Sequence, residues 1–219
     1  MAFDLSCYRE ELESELTYFL ISSNTFYNER WFGEFFTETK TKKLIKNLRS
    51  RIESIIQIKC LIETEQYYSY VTGSYNNSCI RIILPPLYFK NYINGYINNN
   101  QIESLISPII DIILHETIHY NQDKSANFKI LNYGKIPAHL SGSNYLYFSS
   151  SKEIEAWAIY SASELSRYFN KSILLSLLSS NHTLLSNHSK IFKTYKTLFS
   201  NTKTINIFLK KIAHHISTF

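Results

Sequence analysis

Glycine and proline are scarce in this chain, 5 and 4 residues of 219, so few positions favour a positive φ or a pre-set turn. Tight turns are therefore few, and the composition points to a helix-rich fold whose loops are built from Asn and Ser. Cysteine is scarce too. Cys7, Cys60 and Cys79 make an odd number with no C-x-x-C pair, which argues against a disulfide framework and a thiolate zinc site and fits a reducing compartment. No apolar run reaches the ~20 residues that span a bilayer, because the most apolar stretch, Ile102 to Leu114, is broken by Glu103 and Asp111. The first residues, MAFDLSCYREELESEL, carry acids where a secretory signal needs a basic start and a continuous apolar run. The sequence thus predicts a cytoplasmic protein with no membrane partner. Charge is sparse as well: 19% of residues are charged, the net charge is +5, and the basic residues are dispersed apart from Lys40, Lys42, Lys43 and Lys46. That cluster reads as a solvated helix face, so nucleic acid is not the leading partner.

What is present is an apolar fraction of 44%, with 15% aromatic, in a chain of a length that suits one folded domain. The expected fold is α+β and helix-rich. Within the single domain 1–219, residues 1–66 form an N-terminal helical scaffold, 67–168 a core with a small sheet, and 169–219 the C-terminal helices. Apolar residues three and four apart predict helices over 4–22 (Leu12, Leu16, Phe19, Leu20) and 40–66 (Leu44, Leu48, Ile52, Ile55, Ile56). YYSYVT and CIRIIL, separated by GSYNNS, read as a β-hairpin ending at Pro85 and Pro86. A helix follows from about Ile102 to Asp123, starting near Ser107 or kinked at Pro108. Residues 124–150, with Gly134, Pro137 and Gly142, read as a long loop, and a helix runs from about Ser151 to Tyr168. Two or three more helices complete the chain, with Lys and His on their outer faces.

The chemistry lies in DIILHETIHYNQ, residues 111–122. Helical positions four apart differ by about 40° of rotation, so His115 and His119 project from one face a turn apart and two imidazoles can share one ion. Zinc takes such nitrogens at ~2.0–2.1 Å and keeps a position open in catalytic sites. Glu116 lies about 100° around from His115, which suits a general base beside the open position rather than a ligand. An H-E-x-x-H pattern arises by chance in roughly one chain in a hundred of this histidine content, so context matters. Ile109, Ile110, Ile112, Ile113, Leu114 and Ile118 make the helix apolar nearly all round and predict its burial. The alternative is a polar stripe continuing to Gln122 and Asp123 that merely meets solvent.

HETIH, followed by SKEIEAWAIY on a later helix, resembles the gluzincin group of zinc metallopeptidases over about residues 79–168. In that group H-E-x-x-H supplies two ligands and a downstream glutamate, often opening E-x-E-A-D, supplies the third. The resemblance therefore implies a zincin-like core, Zn2+ held by His115, His119 and Glu153, and hydrolysis of a protein or peptide substrate with Glu116 as general base. Trp157 stands where many relatives have Asp. His119-Tyr120-Asn121-Gln122 is also similar to small H-E-x-x-H-x-x-Q proteins, some of them viral. An extended motif with a third histidine does not fit, since positions 122 and 125 are Gln and Ser. Glu153 has a second reading, because Ser150-Ser151-Lys152-Glu153 matches the S-x-x-E capping box, and a carboxylate folded onto its own cap is not available to a metal. Glu155 is the reserve ligand.

The group's mechanism also implies an oxyanion donor, for which Tyr160, His139, Tyr145 and Tyr147 are candidates. It implies a strand whose edge binds extended peptide, here CIRIIL. The competing functional reading is a non-enzymatic zincin-like protein whose ion staples two helices, favoured by Trp157. A third is nucleic-acid association through the cluster at Lys40–Lys46. The oligomeric state is left open.

Overall fold

The computed structural model describes residues 5–30, 38–65, 68, 70–76, 78–85, 88, 99–125, 147–200 and 203–218. Helices dominate, beside a three-stranded mixed sheet. The chain divides into two compact units, 7–121 and 122–219 with 1–6, and the division falls inside one continuous helix.

The first unit holds α1 (Leu5–Arg30), α2 (Glu38–Ile56), β1 (Lys59–Thr64), β2 (Thr72–Asn76), β3 (Cys79–Leu84) and most of α3 (Asn99–Ser125). α1 extends beyond the expected 4–22 because the helix continues through Thr25–Arg30. The expected helix over 40–66 is corrected: α2 ends at Ile56 and residues 59–64 are strand. Gln57 stops the helix with a φ of 55°. Beyond it the buried residues Ile58, Cys60 and Ile62 alternate with exposed Lys59 and Leu61, the period of a strand. Glu53 joins the two elements by accepting the Cys60 amide at 2.7 Å. The hairpin forms, but its first strand is Thr72–Asn76 rather than YYSYVT, and Ser78, with a φ of 61°, lies in the turn.

Strand order is β1-β3-β2, with β1 parallel and β2 antiparallel to β3. β3 is therefore central, and the expectation that CIRIIL offers a free edge is corrected: both its edges are paired. Sequence alone hides this because the helical spacing of α2 runs up to the segment that forms β1, the second neighbour.

Leu12, Leu16 and Phe19 of α1, Leu48 and Ile52 of α2, Ile80 and Ile82 of β3 and Ile110 and Ile113 of α3 are core residues of this unit. Arg9 of α1 is buried and donates to Asp111 of α3 at 2.6 Å. Gly73 lies where a Cβ would collide with Ile112 of α3 and come within 2.9 Å of the Arg81 carbonyl. Glycine there permits the close approach of β2 to α3. α3 runs through Pro108, so the helix does not begin at Ser107.

The second unit consists of α4 (Ser151–Ser166), α5 (Lys171–Ser180), α6 (His182–His188), α7 (Lys190–Leu198) and α8 (Lys203–Thr218), which makes four helices after α4 where two or three are expected. The additional break is made by caps. Asn170, Asn181 and Ser189 accept the amides of Ile173, Leu184 and Phe192 at 3.0, 3.1 and 3.1 Å, satisfying amides that a helix start leaves without a partner. Asn and Ser thus do the punctuating work that glycine and proline do elsewhere. Ala158 and Ala162 of α4 share a core with Leu174, Leu185, Phe192, Tyr195, Phe208 and Ile212, and Tyr195 stacks on Phe208 with centroids 3.8 Å apart. Among the described residues, no helix is long and apolar enough to cross a membrane.

Candidate metal centre

Residues 113–119 of α3 are buried without interruption, and His115, Glu116 and His119 are only 3%, 6% and 6% exposed. A polar stripe meeting solvent is thereby ruled out. Burying three such groups is costly unless they are paired or coordinate an ion. The Nε2 atoms of His115 and His119 stand 3.0 Å apart, with ring centroids at 4.5 Å and planes at 84°. Two nitrogens at ~2.0–2.1 Å from one ion and about 95° apart have this separation. A single shared proton between the rings gives the same spacing, so the carboxylate is what distinguishes the two.

Glu153, on the first turn of α4, is that carboxylate. One ligand atom from each of His115, His119 and Glu153 lies within 4.8 Å of the other two, a group able to hold a metal ion. The capping conflict resolves through the backbone. Ser150 is the N-cap and its hydroxyl accepts the Glu153 amide at 3.3 Å. The Ser150 amide, however, donates to the Tyr147 carbonyl at 3.2 Å, so the reciprocal bond of a capping box, which would draw the Glu153 carboxylate back, is not made.

Glu155, the reserve ligand, is engaged elsewhere. His215 meets its Oε1 at 2.7 Å and Lys211 its Oε2 at 2.5 Å, both from α8. The His215 hydrogen bond, with Lys211 beside it, holds the Glu155 carboxyl down at about 2. Trp157, in the position where an Asp was anticipated, packs between Phe148 and Tyr160 at 6.1 and 5.7 Å. Tyr160 is buried and Tyr147 is half-buried against Phe148. His139 and Tyr145 lie outside the described residues. Burial, and secondly the negative charge of Glu153, raise the Tyr195 hydroxyl above its ordinary value, and its hydroxyl donates to the Phe148 carbonyl at 3.0 Å.

Two charged pairs bracket the histidines and were not singled out from the sequence. Asp111, one turn before His115, is held by Arg9. Asp123, one turn after His119, is held by Lys152 at 3.1 Å, with side-chain exposures of 21% and 16%. Their positions four residues to either side of the pair, on the helix's own face, were a visible signal.

The second edge of β3 is covered by β2, and β2 in turn lies along α3. Tyr75 meets Tyr120 edge-on at 5.9 Å, and Gly73 sits against Ile112. Ile112, Glu116 and Tyr120 are successive i+4 positions on one helix face. Glu116 therefore belongs to the face that β2 covers, and the two histidines to the face next to it. Burial pushes the Cys60 thiol up to about 12, which keeps it out of thiolate chemistry. Compared with known proteins, the chain matches no family model, no curated protein and no solved structure.

Proposed function

We propose that this protein is a zinc-dependent peptidase with His115, His119 and Glu153 as ligands and Glu116 as general base. The observation that carries the proposal is the buried His115–Glu116–His119 turn with the Glu153 carboxylate brought to it. The donor set fits: two imidazole nitrogens and one carboxylate oxygen are the ligands of open zinc sites, and three protein ligands leave a fourth position for water or substrate. Bound there, zinc would lower the pKa of a water toward ~7 and polarise a substrate carbonyl.

The chain's own groups do the rest. The Glu116 carboxylate takes the proton from the attacking water and delivers it to the departing amine nitrogen. The surrounding isoleucines exclude bulk water, which strengthens each charge interaction within the site. An extended peptide adds to the outer edge of β2, which carries no further strand among the described residues, through main-chain hydrogen bonds that give affinity with little sequence selectivity. Buried Tyr160 and half-buried Tyr147 are the described candidates for the oxyanion donor.

Metal content after exhaustive dialysis against chelator-treated buffer tests the reading. Wild type is expected to hold about one zinc per chain, His115→Ala and Glu153→Ala to lose it, and Glu116→Gln to keep it while peptide hydrolysis falls by about 10²–10⁴-fold. A metal-free wild type, or one stoichiometric iron, to which two histidines and a carboxylate are also suited, overturns it. Stoichiometric zinc with no hydrolysis of a diverse peptide library leaves the staple between helices as the better reading.

A further inference from the structure

Every Asp and Glu of this chain, 18 in all, lies before residue 165. The last 55 residues hold Arg167, seven lysines and four of the seven histidines, and no acid. A general enrichment in lysine does not produce this pattern, since it leaves acids in place, as the first 164 residues show. Folding then sorts the side chains. Phe192, Tyr195 and Phe199 of the α7 segment and Ile205, Phe208, Ile212 and Ile216 of α8 turn inward, which leaves the lysines on the outer faces. Lys190, Lys193, Lys203 and Lys210 are exposed and Lys196 is half-buried. Lys211 is taken by Glu155 and Lys171 by the Ser217 carbonyl. Among the described residues, Lys190, Lys193, Lys196, Lys203 and Lys210 have no carboxylate partner.

We infer that the lysine-bearing outer faces of α7 and α8 bind the phosphate backbone of double-helical nucleic acid. Charge complementarity selects a polyanion, because uncompensated cations repel one another and gain most from a partner carrying closely spaced negative charge. Lys190, Lys193 and Lys196 recur about every turn of α7 and span ~9 Å of its axis, a distance over which one strand of a duplex presents about three phosphates. Exposed Asn187, Ser200 and Asn206 flank the lysines and can donate to further phosphate oxygens. The aromatic rings separate a duplex from a single strand. Binding of single strands relies on exposed rings on which bases stack, and the rings of α7 and α8 are in the core. A lipid surface is disfavoured on similar grounds, because an interfacial helix needs large apolar side chains on its outer side, and Leu198 is the one such residue among the exposed large hydrophobics of α7 and α8.

This inference is independent of the peptidase reading, and its test needs no metal. Binding of the full chain to a labelled 20-base-pair DNA duplex is followed by fluorescence anisotropy from low to moderate salt, with single-stranded DNA of the same sequence and phosphatidylserine vesicles as further arms. Wild type is expected to bind the duplex with a logarithmic salt slope of about −3 to −5. Lys190→Gln/Lys193→Gln/Lys203→Gln/Lys210→Gln is expected to weaken binding at least tenfold and shrink the slope by about 3, while an equivalent set at Lys42, Lys43 and Lys46 leaves both unchanged. Circular dichroism confirms that the variants remain folded, as surface substitutions should. No duplex binding at low salt, equal binding by the quadruple variant, or tighter binding to single strands or to vesicles overturns the inference.

Discussion

The pair Lys152–Asp123 should control metal affinity through Glu153 and not merely hold two helices together. Lys152 precedes Glu153 on the first turn of α4, and Asp123 stands one turn past His119 on α3. Their 3.1 Å contact therefore fixes the backbone that carries the carboxylate relative to the end of the helix that carries the imidazoles. An exposed pair contributes about 0–1 kcal/mol, and breaking a buried one costs about 3–5 kcal/mol. Side chains exposed to 16% and 21% fall between these limits, which gives about 1–3 kcal/mol for Lys152→Met. If about half of that, about 0.5–1.5 kcal/mol, is felt at the ligand, zinc binds about two- to twelvefold more weakly, since 1.4 kcal/mol is a factor of ten. Zinc dissociation constants from chelator competition for wild type, Lys152→Met, Glu153→Ala and the double variant decide the matter. The effect of Lys152→Met should vanish in the Glu153→Ala background, where no carboxylate remains to be positioned, and the exchange Lys152→Asp/Asp123→Lys should restore part of the loss. Equal effects in both backgrounds, or no recovery on exchange, would refute a positioning role.

Two further outcomes follow from the fold. Glu155, held at about 2 against about 4.5 in an unfolded chain, contributes stability that is fully present above pH 4.5 and is lost as the pH falls toward 2. With the side chain a quarter exposed, solvent screening brings the difference to about 1–2 kcal/mol, so the gap in urea stability between wild type and Glu155→Gln should close over that window, and a gap independent of pH would contradict the assignment. Gly73→Ala should lower stability by about 1–3 kcal/mol by forcing a Cβ onto Ile112, with part recovered in Gly73→Ala/Ile112→Ala, and an unchanged urea midpoint would show that β2 does not lie against α3 as described.

The candidate metal turn at His115 and His119 is legible because it is local: the relation of the two histidines is set by helical geometry and by the apolar residues around them, with no need of distant contacts. The caps at Asn170, Asn181 and Ser189 are local too, and the shortage of glycine and proline already pointed to Asn and Ser for that work. The choice between Glu153 and Glu155 was not local. Two positions apart, they face away from each other by about 200°, and nothing nearby in sequence tells which of the two carboxylates a later helix takes. His215, sixty residues on, tells it by claiming Glu155. β1 escaped notice for a similar reason. The helical spacing of α2 runs unbroken to Ile56, and the stop is a glutamine in a conformation that residue type seldom signals. Without β1, β3 looks like an edge, because its parallel neighbour comes from a segment that follows directly on a helical pattern. Gly73 falls by sequence between the two strands of the hairpin, whereas it lies within β2 and lets that strand approach Ile112. Each miss has the same origin: the residue's partner lies far along the chain, and only tertiary packing reveals which of two locally acceptable roles it takes.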